Sequence, residues 1–249
     1  MVNRQYEARP SFKDERDYPI SKLVANSIRL PIAYRTNVGV EVIDQGDIGC
    51  CVACSLAYAR EIKERLQGNK TNGFSVAWIY GNRISSDHQG DGMMPRQAIQ
   101  SLRRDGVPPR KNLEGIYSYL RAKRRVDDKK ESLKKEAYKY RISNFYACSS
   151  VSDIKQAIME CGCVSAMFPA WASLDNLNDK NIIVPSEIEY GYHQMTILGW
   201  ERVNDVEYWI ILNSWGENWG DEGYCYMPTK YTDEIVEAWA MVDNIGKKG

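Results

Sequence analysis

Among 249 residues, the thiol of Cys51 is the side chain best placed to act as a nucleophile. It stands where a glycine-containing turn, DQGDIG over 44–49, meets the start of an apolar helical run, CVACSLAYAREIKERL. A helix N-terminus offers unpaired amide donors and the positive end of the helix dipole, and both favour the thiolate, the reactive form of cysteine. A base for that thiol must be one of only two histidines. His88 lies in the polar loop SSDHQGDG and reads as a surface residue, whereas His193 opens an apolar strand, GYHQMTILGW, where a side chain is held rigidly. Asn213, on the next strand in NSWGENWGDEGY, is placed to accept from the imidazole and fix its tautomer. Taken singly, each has a bland reading: a buried cysteine is a small hydrophobe, and a strand histidine is more often structural than catalytic. Together they supply the nucleophile, base and orienting amide of covalent acyl transfer.

The elements that must position these groups fall into two sets. Residues 51–66 read as a helix whose first half is nearly all apolar, closed by Gly68, Asn69, Asn72 and Gly73. Helices are also expected over 74–80 and 95–104, and a short strand over 38–43. Residues 121–141 carry ten basic and four acidic residues without interleaved aromatics, the pattern of a solvated helical face rather than a nucleic-acid patch. Strand-type alternation follows over 164–168, 194–200, 208–212 and 223–227, separated by Gly, Asn and Asp turns. Helices first and strands later make an α+β architecture in two lobes, with a cleft between them as the place for a site. The boundaries expected are 1–29 for an N-terminal segment, 30–140 for a mainly helical lobe carrying the nucleophile helix, and 141–249 for a mainly β lobe carrying the histidine and asparagine.

Composition sets the outer limits. Hydrophobic residues make up 43% and charged residues 27%, and the formal charge is zero, so no global field draws the chain to nucleic acid or an anionic membrane. No stretch approaches the roughly 20 apolar residues of a membrane span, and the charged N-terminus lacks a signal-peptide core. Seven cysteines at irregular spacing argue against a full disulfide framework and fit a reducing compartment, with the cytoplasm the expected one. The sequence is silent on oligomeric state and calls for no cofactor.

The segments QGDIGCCVAC, GYHQMTILGW and NSWGENWGDEGY, in that order, resemble the cysteine, histidine and asparagine regions of papain-like cysteine peptidases. The resemblance spans about residues 30–245. It implies the papain-like two-lobed fold, with a helical left lobe, an antiparallel β-barrel-like right lobe and the active site in the cleft between them. It also implies hydrolysis of peptide bonds in peptide or protein substrates through a thioacyl intermediate. Carried over position by position, Gln45 matches the oxyanion-hole glutamine, Cys51 the nucleophile, His193 the base, Asn213 the orienting amide, and Trp215 the indole that shields the His–Asn contact. Substrate-binding positions by the same resemblance are Gly92, Met94, Pro95, Met167, Tyr192, Gln194 and Trp215. They imply an apolar pocket for the residue two upstream of the scissile bond, and a one-residue gap would move the backbone-pairing role away from Gly92. The chain departs from the family at Cys50, where a small polar residue is usual, at Val52, where a tryptophan is common, and at Ile48, where secreted members have a disulfide cysteine. In place of a long helical propeptide it has a short segment containing DERDYP, similar to leader regions of bacterial-type members, expected either to wrap the β lobe or to lie in the cleft as a latch.

Three readings compete. Cys51 and Cys54 form a C-x-x-C pair at a helix start, the arrangement of thiol–disulfide exchange sites, but that leaves His193, Asn213 and Gln45 without roles and lacks an early βαβ pattern. A metal site from Cys50, Cys51, Cys54, Cys161 and Cys163 lacks ligand pairs at zinc-ribbon spacing, so no metal is expected. A third reading keeps the fold and loses the chemistry: a silent protein whose cleft only holds peptide.

Overall fold

The computed structural model of the chain describes residues 6–23, 29–84, 90–187 and 189–243. After a short strand, β1 (Tyr34–Arg35), the first half is helical: α1 (Cys51–Leu66), α2 (Val76–Gly81), α3 (Pro95–Asp105) and α4 (Tyr119–Tyr138). Small apolar residues dominate the start of α1, and every residue from Cys51 to Ile62 is buried, so the helix runs through the interior and not along the surface. Ser75 caps α2 by accepting from the Trp78 amide at 3.0 Å, and Pro95 sits in the first turn of α3, where its missing N–H leaves no helical bond unmade. The charged α4 buries only Ala122, Val126 and Ala137. The strand expected over 38–43 is replaced by extended chain outside the sheet. There Val38, Val40, Val42 and Ile43 pack part-buried on the helical core and the Ile43 amide donates to the Tyr58 hydroxyl at 2.5 Å. A side chain takes the hydrogen bond a ladder would have used.

The second half supplies β2 (Asn144–Ala147), α5 (Val151–Cys161), β3 (Val164–Trp171), α6 (Ala172–Asp175), β4 (Glu189–Val203), β5 (Val206–Leu212), β6 (Tyr224–Pro228) and β7 (Glu237–Val242). The strands form one antiparallel sheet in the order β2-β7-β3-β4-β5-β6, with β1 paired to β4. The barrel-like closure expected of this half is not made, and the sheet is open. Irregular chain covers its end strands instead. The Ala147 amide of β2 donates to Tyr18 O, and Tyr226 of β6 exchanges bonds with Asn181 and Ile183. Edges blunted in this way need no closure. Asn204 and Asp205, both at positive φ, make the two-residue turn that joins β4 to β5.

β3 is buried along its whole length because both faces are covered. Cys163, just ahead of the strand, and Met167 belong to the core cluster shared with α1, while Val164, Ala166, Phe168 and Ala170 belong to a second cluster with α5, Trp200 and Trp209. The sheet is thus a partition between two cores.

Two buried polar attachments fix α1 against this partition. In the first, Ser55 Oγ lies 2.7 Å from Ser165 Oγ on β3, and 2.8 Å from Thr196 Oγ1 and 3.0 Å from Met195 O on β4. A carbonyl can only accept, so the Ser55 proton goes to Met195 and the two neighbouring hydroxyls donate to Ser55. Gln194 Nε2 in turn donates to Ser165 at 2.8 Å. In the second, towards the other end of the helix, buried Arg60 pairs with Glu64 and with Asp243 beyond β7, and Gln67 also donates to Asp243 at 3.0 Å. Ser55→Ala leaves buried donors and an acceptor unmet and is expected to cost about 1–3 kcal/mol in urea unfolding. Arg60→Ala leaves buried carboxylates without their cation and is expected to cost about 3–5 kcal/mol in the same measurement. Values near zero would mean that α1 is held by apolar packing alone.

Candidate functional site

Cys51 is the first residue of α1, with Cys50 in the N-cap position. Its thiol is fully buried, and burial pushes its pKa up to about 12. The backbone amide of Gln194 is the main influence pulling it back down, joined by the amides of Val52 and Cys51 at the helix start. Because Gln194 follows His193 on β4, the same contact brings the imidazole-bearing strand to the thiol.

His193 lies inside β4, opposite Phe168 of β3, and is buried. Its Nε2 is 2.7 Å from Asn213 Oδ1. The Ser214 amide donates to the same Oδ1 at 2.8 Å, which identifies that atom as the carbonyl oxygen. A carbonyl oxygen cannot donate, so the imidazole carries its proton on Nε2, and Nδ1 is the ring atom left for proton exchange. Trp215 stacks on the imidazole with centroids 4.6 Å apart and planes 28° from parallel, and Trp219 meets Trp215 edge-on at 5.1 Å. The indoles keep water from the His–Asn contact, where a low local dielectric strengthens it.

Gln45 is held from both sides. Its Oε1 accepts from Ser214 Oγ at 2.6 Å, its Nε2 donates to Ile48 O at 2.7 Å, and its backbone amide donates to Ser214 O at 2.9 Å. A carboxamide nitrogen has two protons, so one remains after Ile48 is served. Ser214 therefore joins Gln45 to Asn213.

Of the remaining sequence-derived positions, Gly92 and Tyr192 border a groove between the two halves. Gly92, at φ +98°, has its amide donating to Tyr80 Oη at 3.1 Å and its carbonyl accepting from Arg83 Nη1 at 2.5 Å. Met94 and Pro95 open α3 and are buried, as is Met167. Gln194 is buried too, with its side chain committed to Ser165. The backbone carbonyl of Tyr192 faces the groove.

That groove is filled by the chain's own N-terminal segment. Ala8 N donates to Tyr192 O at 3.1 Å, Arg9 N to Met93 O at 3.0 Å, and Met93 N to Glu7 O at 3.3 Å, both bridges running parallel. Met93, next to Gly92, supplies both pairing groups. A side chain on Gly92 would collide with Glu7 O, so the close approach requires glycine there. Ala8 is 3% exposed and shares an apolar cluster with Met93 and Met167. Further along, Ser11 N donates to Glu237 Oε1 at 2.9 Å, and Arg96 of α3 pairs with Asp14 and Asp17, each at 2.8 Å. Residues 18–20 then reach the β2 edge, where Ile20 is buried.

His88 lies outside the described residues. The seven cysteines are all free and buried, Cys50 Sγ lying 3.8 Å from Cys54 Sγ. Among the described residues no His, Cys, Asp and Glu cluster is arranged to hold a metal, and no helix is long and apolar enough to cross a membrane. The sequence reading passed over Ser214, although it adjoins Asn213 in a segment already singled out. It also passed over Met93, one residue from Gly92. For Ser55 no local signal existed, because its partners lie more than a hundred residues away.

The arrangement has known counterparts. Residues 32–241 match the family described as papain family cysteine protease. The chain is 26% identical over 204 residues to Peptidase 1 of Dermatophagoides pteronyssinus, covering 80% of this chain and 60% of that protein. It is 29% identical over 204 residues to an uncharacterized peptidase C1-like protein of Acanthamoeba polyphaga mimivirus, covering 76% and 64%. The chain thus spans less than two thirds of the length of these curated relatives. In fold it is similar to xylellain, a cysteine protease from Xylella fastidiosa, with a TM-score of 0.80, 24% identity and 97% of each chain covered. The match over most of the sequence, on a site of this geometry, decides the classification: the chain belongs to the papain family of cysteine proteases.

Proposed function

We propose that the chain is a cysteine peptidase in which Cys51 attacks the scissile carbonyl of a peptide or protein substrate. The observation that carries this reading is the buried His193–Asn213 contact under Trp215, on the strand whose next amide touches the Cys51 thiol. The proton of the thiol passes to His193 Nδ1. The thiolate adds to the carbonyl carbon, and the oxyanion is met by the Cys51 amide and the remaining Gln45 Nε2 proton. Collapse breaks the C–N bond, and the imidazolium gives its proton to the departing amine. Water, deprotonated by the neutral imidazole, then cleaves the thioester and restores the thiol. Met93 would pair with extended substrate through its N–H and C=O, with Gly92 giving the clearance. Met94, Pro95 and Met167 make an apolar wall for the residue two upstream, as the burial of Ala8 beside this cluster supports.

In the closed form, residues 6–17 act as a latch. His193 serves the leaving amine, which belongs to the C-terminal product, so a productive substrate runs towards His193. Tyr6 lies beside His193 and Arg9 beside Met93, so the latch runs the other way. It takes up the backbone pairing groups without offering a bond in the reactive direction. It also dries the thiol, which at a pKa near 12 stays neutral at pH 7. The Arg96 clamp resists mild acid. Hydrogen bonding from Arg16 and the charge of Arg96 hold the Asp14 carboxyl well below the usual range. A depressed carboxyl contributes stability above its unfolded pKa and loses it only as pH falls through the lowered value, so acidification to pH 5 leaves Asp14 ionised.

Treatment with an epoxysuccinyl peptide, followed by peptide mapping, is expected to give one adduct on Cys51 that is lost in His193→Ala. Labelling of both Cys51 and Cys54 without dependence on His193 would instead mean thiol exchange, and no labelling of any variant a silent binder. Asp14→Asn/Asp17→Asn should open the latch and rehydrate the thiol, raising the alkylation rate at pH 7 by about tenfold or more, since each pKa unit recovered is about tenfold in thiolate. An unchanged rate and pH profile would show that residues 6–17 do not control access. In that opened background Gln45→Ala should lower kcat by about 100-fold, roughly 3 kcal/mol, with little change in KM.

A further inference from the structure

Cys50 and Cys54 are thiols that the peptidase chemistry leaves unused, one on each side of Cys51 in sequence. Cys50 occupies the N-cap of α1, where its side chain caps no described amide, and the Cys54 N–H donates to Cys50 O at 3.0 Å, one helical turn on. A turn separates such α-carbons by about 6 Å, inside the span that a disulfide bridges. The side chains point the same way: Cys50 Sγ lies 3.8 Å from Cys54 Sγ, and both residues are buried. Closing that contact to a covalent bond asks each sulfur to move by only about 1 Å. Cys51 and Cys54, in turn, stand at C-x-x-C spacing at a helix start, where thiol pairs bridge and exchange, and charge on Cys54 opposes charge on Cys51.

The three sulfurs differ in readiness to react. On the peptidase reading, on which this inference rests, His193 draws the proton from Cys51 once the groove opens, so Cys51 is the sulfur that an oxidant meets as thiolate. Contact with Cys54 and burial hold the Cys50 thiol well above its ordinary pKa, which keeps it protonated meanwhile. We propose that Cys50 and Cys54 form a reversible oxidation site that takes the oxidising equivalents of hydrogen peroxide away from Cys51. The Cys51 thiolate attacks the O–O bond and keeps one oxygen as sulfenic acid, while the other leaves as hydroxide and takes the imidazolium proton to become water. The Cys54 thiol then attacks the sulfenic sulfur, the S–O bond breaks, and a second water leaves a Cys51–Cys54 disulfide. Bridging Cys54 removes the contact that held the Cys50 proton. Cys50 Sγ, already beside Cys54 Sγ, attacks that sulfur, Cys51 departs as thiolate beside His193, and the Cys50 proton returns to the Cys51–His193 pair. The low-pKa thiol is the better leaving group, which sets the direction of the exchange. In sum, two thiols and one hydrogen peroxide become one Cys50–Cys54 disulfide and two waters, and the nucleophile is restored.

The test treats the full chain, unsubstituted and as Asp14→Asn/Asp17→Asn, with hydrogen peroxide, alkylates the remaining thiols and maps the tryptic peptide 36–60, which holds all three cysteines. The expected product is a disulfide between Cys50 and Cys54 with Cys51 recovered as the alkylated thiol. Cys50→Ser, which puts a good helix cap in its place, should stop the oxidation at a Cys51–Cys54 bridge that dithiothreitol reverses. Cys54→Ala lacks the resolving thiol, and its Cys51 should reach sulfinic acid at least about tenfold faster than in the parent, because a neighbouring thiol outcompetes a second peroxide. Dithiothreitol should not rescue that product. Before peroxide, both variants should alkylate at the parent's rate, which shows that the folded site is intact. Sulfenic or sulfinic Cys51 in the parent with Cys50 and Cys54 still alkylated overturns the oxidation site, as do equal sulfinic rates in parent and Cys54→Ala. If that chain nevertheless cleaves a quenched-fluorescent peptide before peroxide, the peptidase reading stands without the oxidation site. A Cys50–Cys54 bridge in a chain that turns over no peptide in either form sinks the peptidase reading and leaves the oxidation site standing.

Discussion

A thiol at the end of a helix and an imidazole inside a strand act together only if helix and strand cannot slide past each other. In this chain the constraint is the hydroxyl knot at Ser55, one turn beyond Cys51 on α1, gripping Ser165, Met195 and Thr196 on β3 and β4. Van der Waals packing between apolar surfaces tolerates small shifts. A donor and acceptor at 2.7–3.0 Å in a dry interior does not, because the alternative is an unmet polar group. Gln194 extends the knot on its side-chain end, through Ser165, and its backbone amide is the group that meets the Cys51 thiol. One residue is therefore tied both to the element that carries the sulfur and to the sulfur itself. Arg60, with Glu64 and Asp243, repeats the attachment further along the helix, so α1 is held at two points and cannot rotate about either.

The same dryness that sharpens these contacts works against ionisation of the Cys51 thiol. Desolvation raises the Cys51 thiol more than the helix amides and Gln194 lower it, so the closed form stores the sulfur as a neutral thiol. The indole of Trp215 is part of the folded core, and Ala8 of the N-terminal segment belongs to the same apolar cluster as Cys51. On the peptidase reading, covering the site and suppressing the thiolate are one physical event.

Sequence patterning revealed the fold unevenly, and the divide follows how local the cause is. The bounds of α1 were legible because turn residues flank a run of good helix formers. The long solvated α4 was legible from its charge. Helix α5 was passed over although Ser150 caps it by accepting from the Asp153 amide and Gly162 ends it at φ +91°, a start and stop that the alternating strands around it obscured. β2 and β7 are short, and their strand character comes from pairing with each other across nearly a hundred residues. Residues 38–43 had the composition of a strand and found a side-chain partner in Tyr58 instead. At the site, the types and order of Gln45, Cys51, His193 and Asn213 were readable. Ser214, which bonds both Gln45 and Asn213, and Ser55 were not, because a serine's value there depends on what surrounds it.

The N-terminal segment draws together groups with separate duties. On the peptidase reading, Met93 and the Tyr192 carbonyl are a sheet edge for substrate, Gly92 and Gly191 are the bare positions that let a second backbone approach, and Trp215 guards the histidine. A segment of reversed direction makes use of all of them. Parallel pairing at Glu7 and Ala8 satisfies the same edge that a forward strand would use, with Tyr6 at the imidazole and Arg9 at Met93, so the segment runs opposite to a productive substrate. Such a segment need not be a poor ligand to escape cleavage; it needs only the wrong direction. Its anchors lie outside the reactive groove, at Arg96 on the helical half and Glu237 on the sheet half, so the segment spans both halves and links them while it is in place. On the peptidase reading, opening the groove would have to break the same few hydrogen bonds that link the two halves, so access to the thiol and the hold of one half on the other depend on the same contacts.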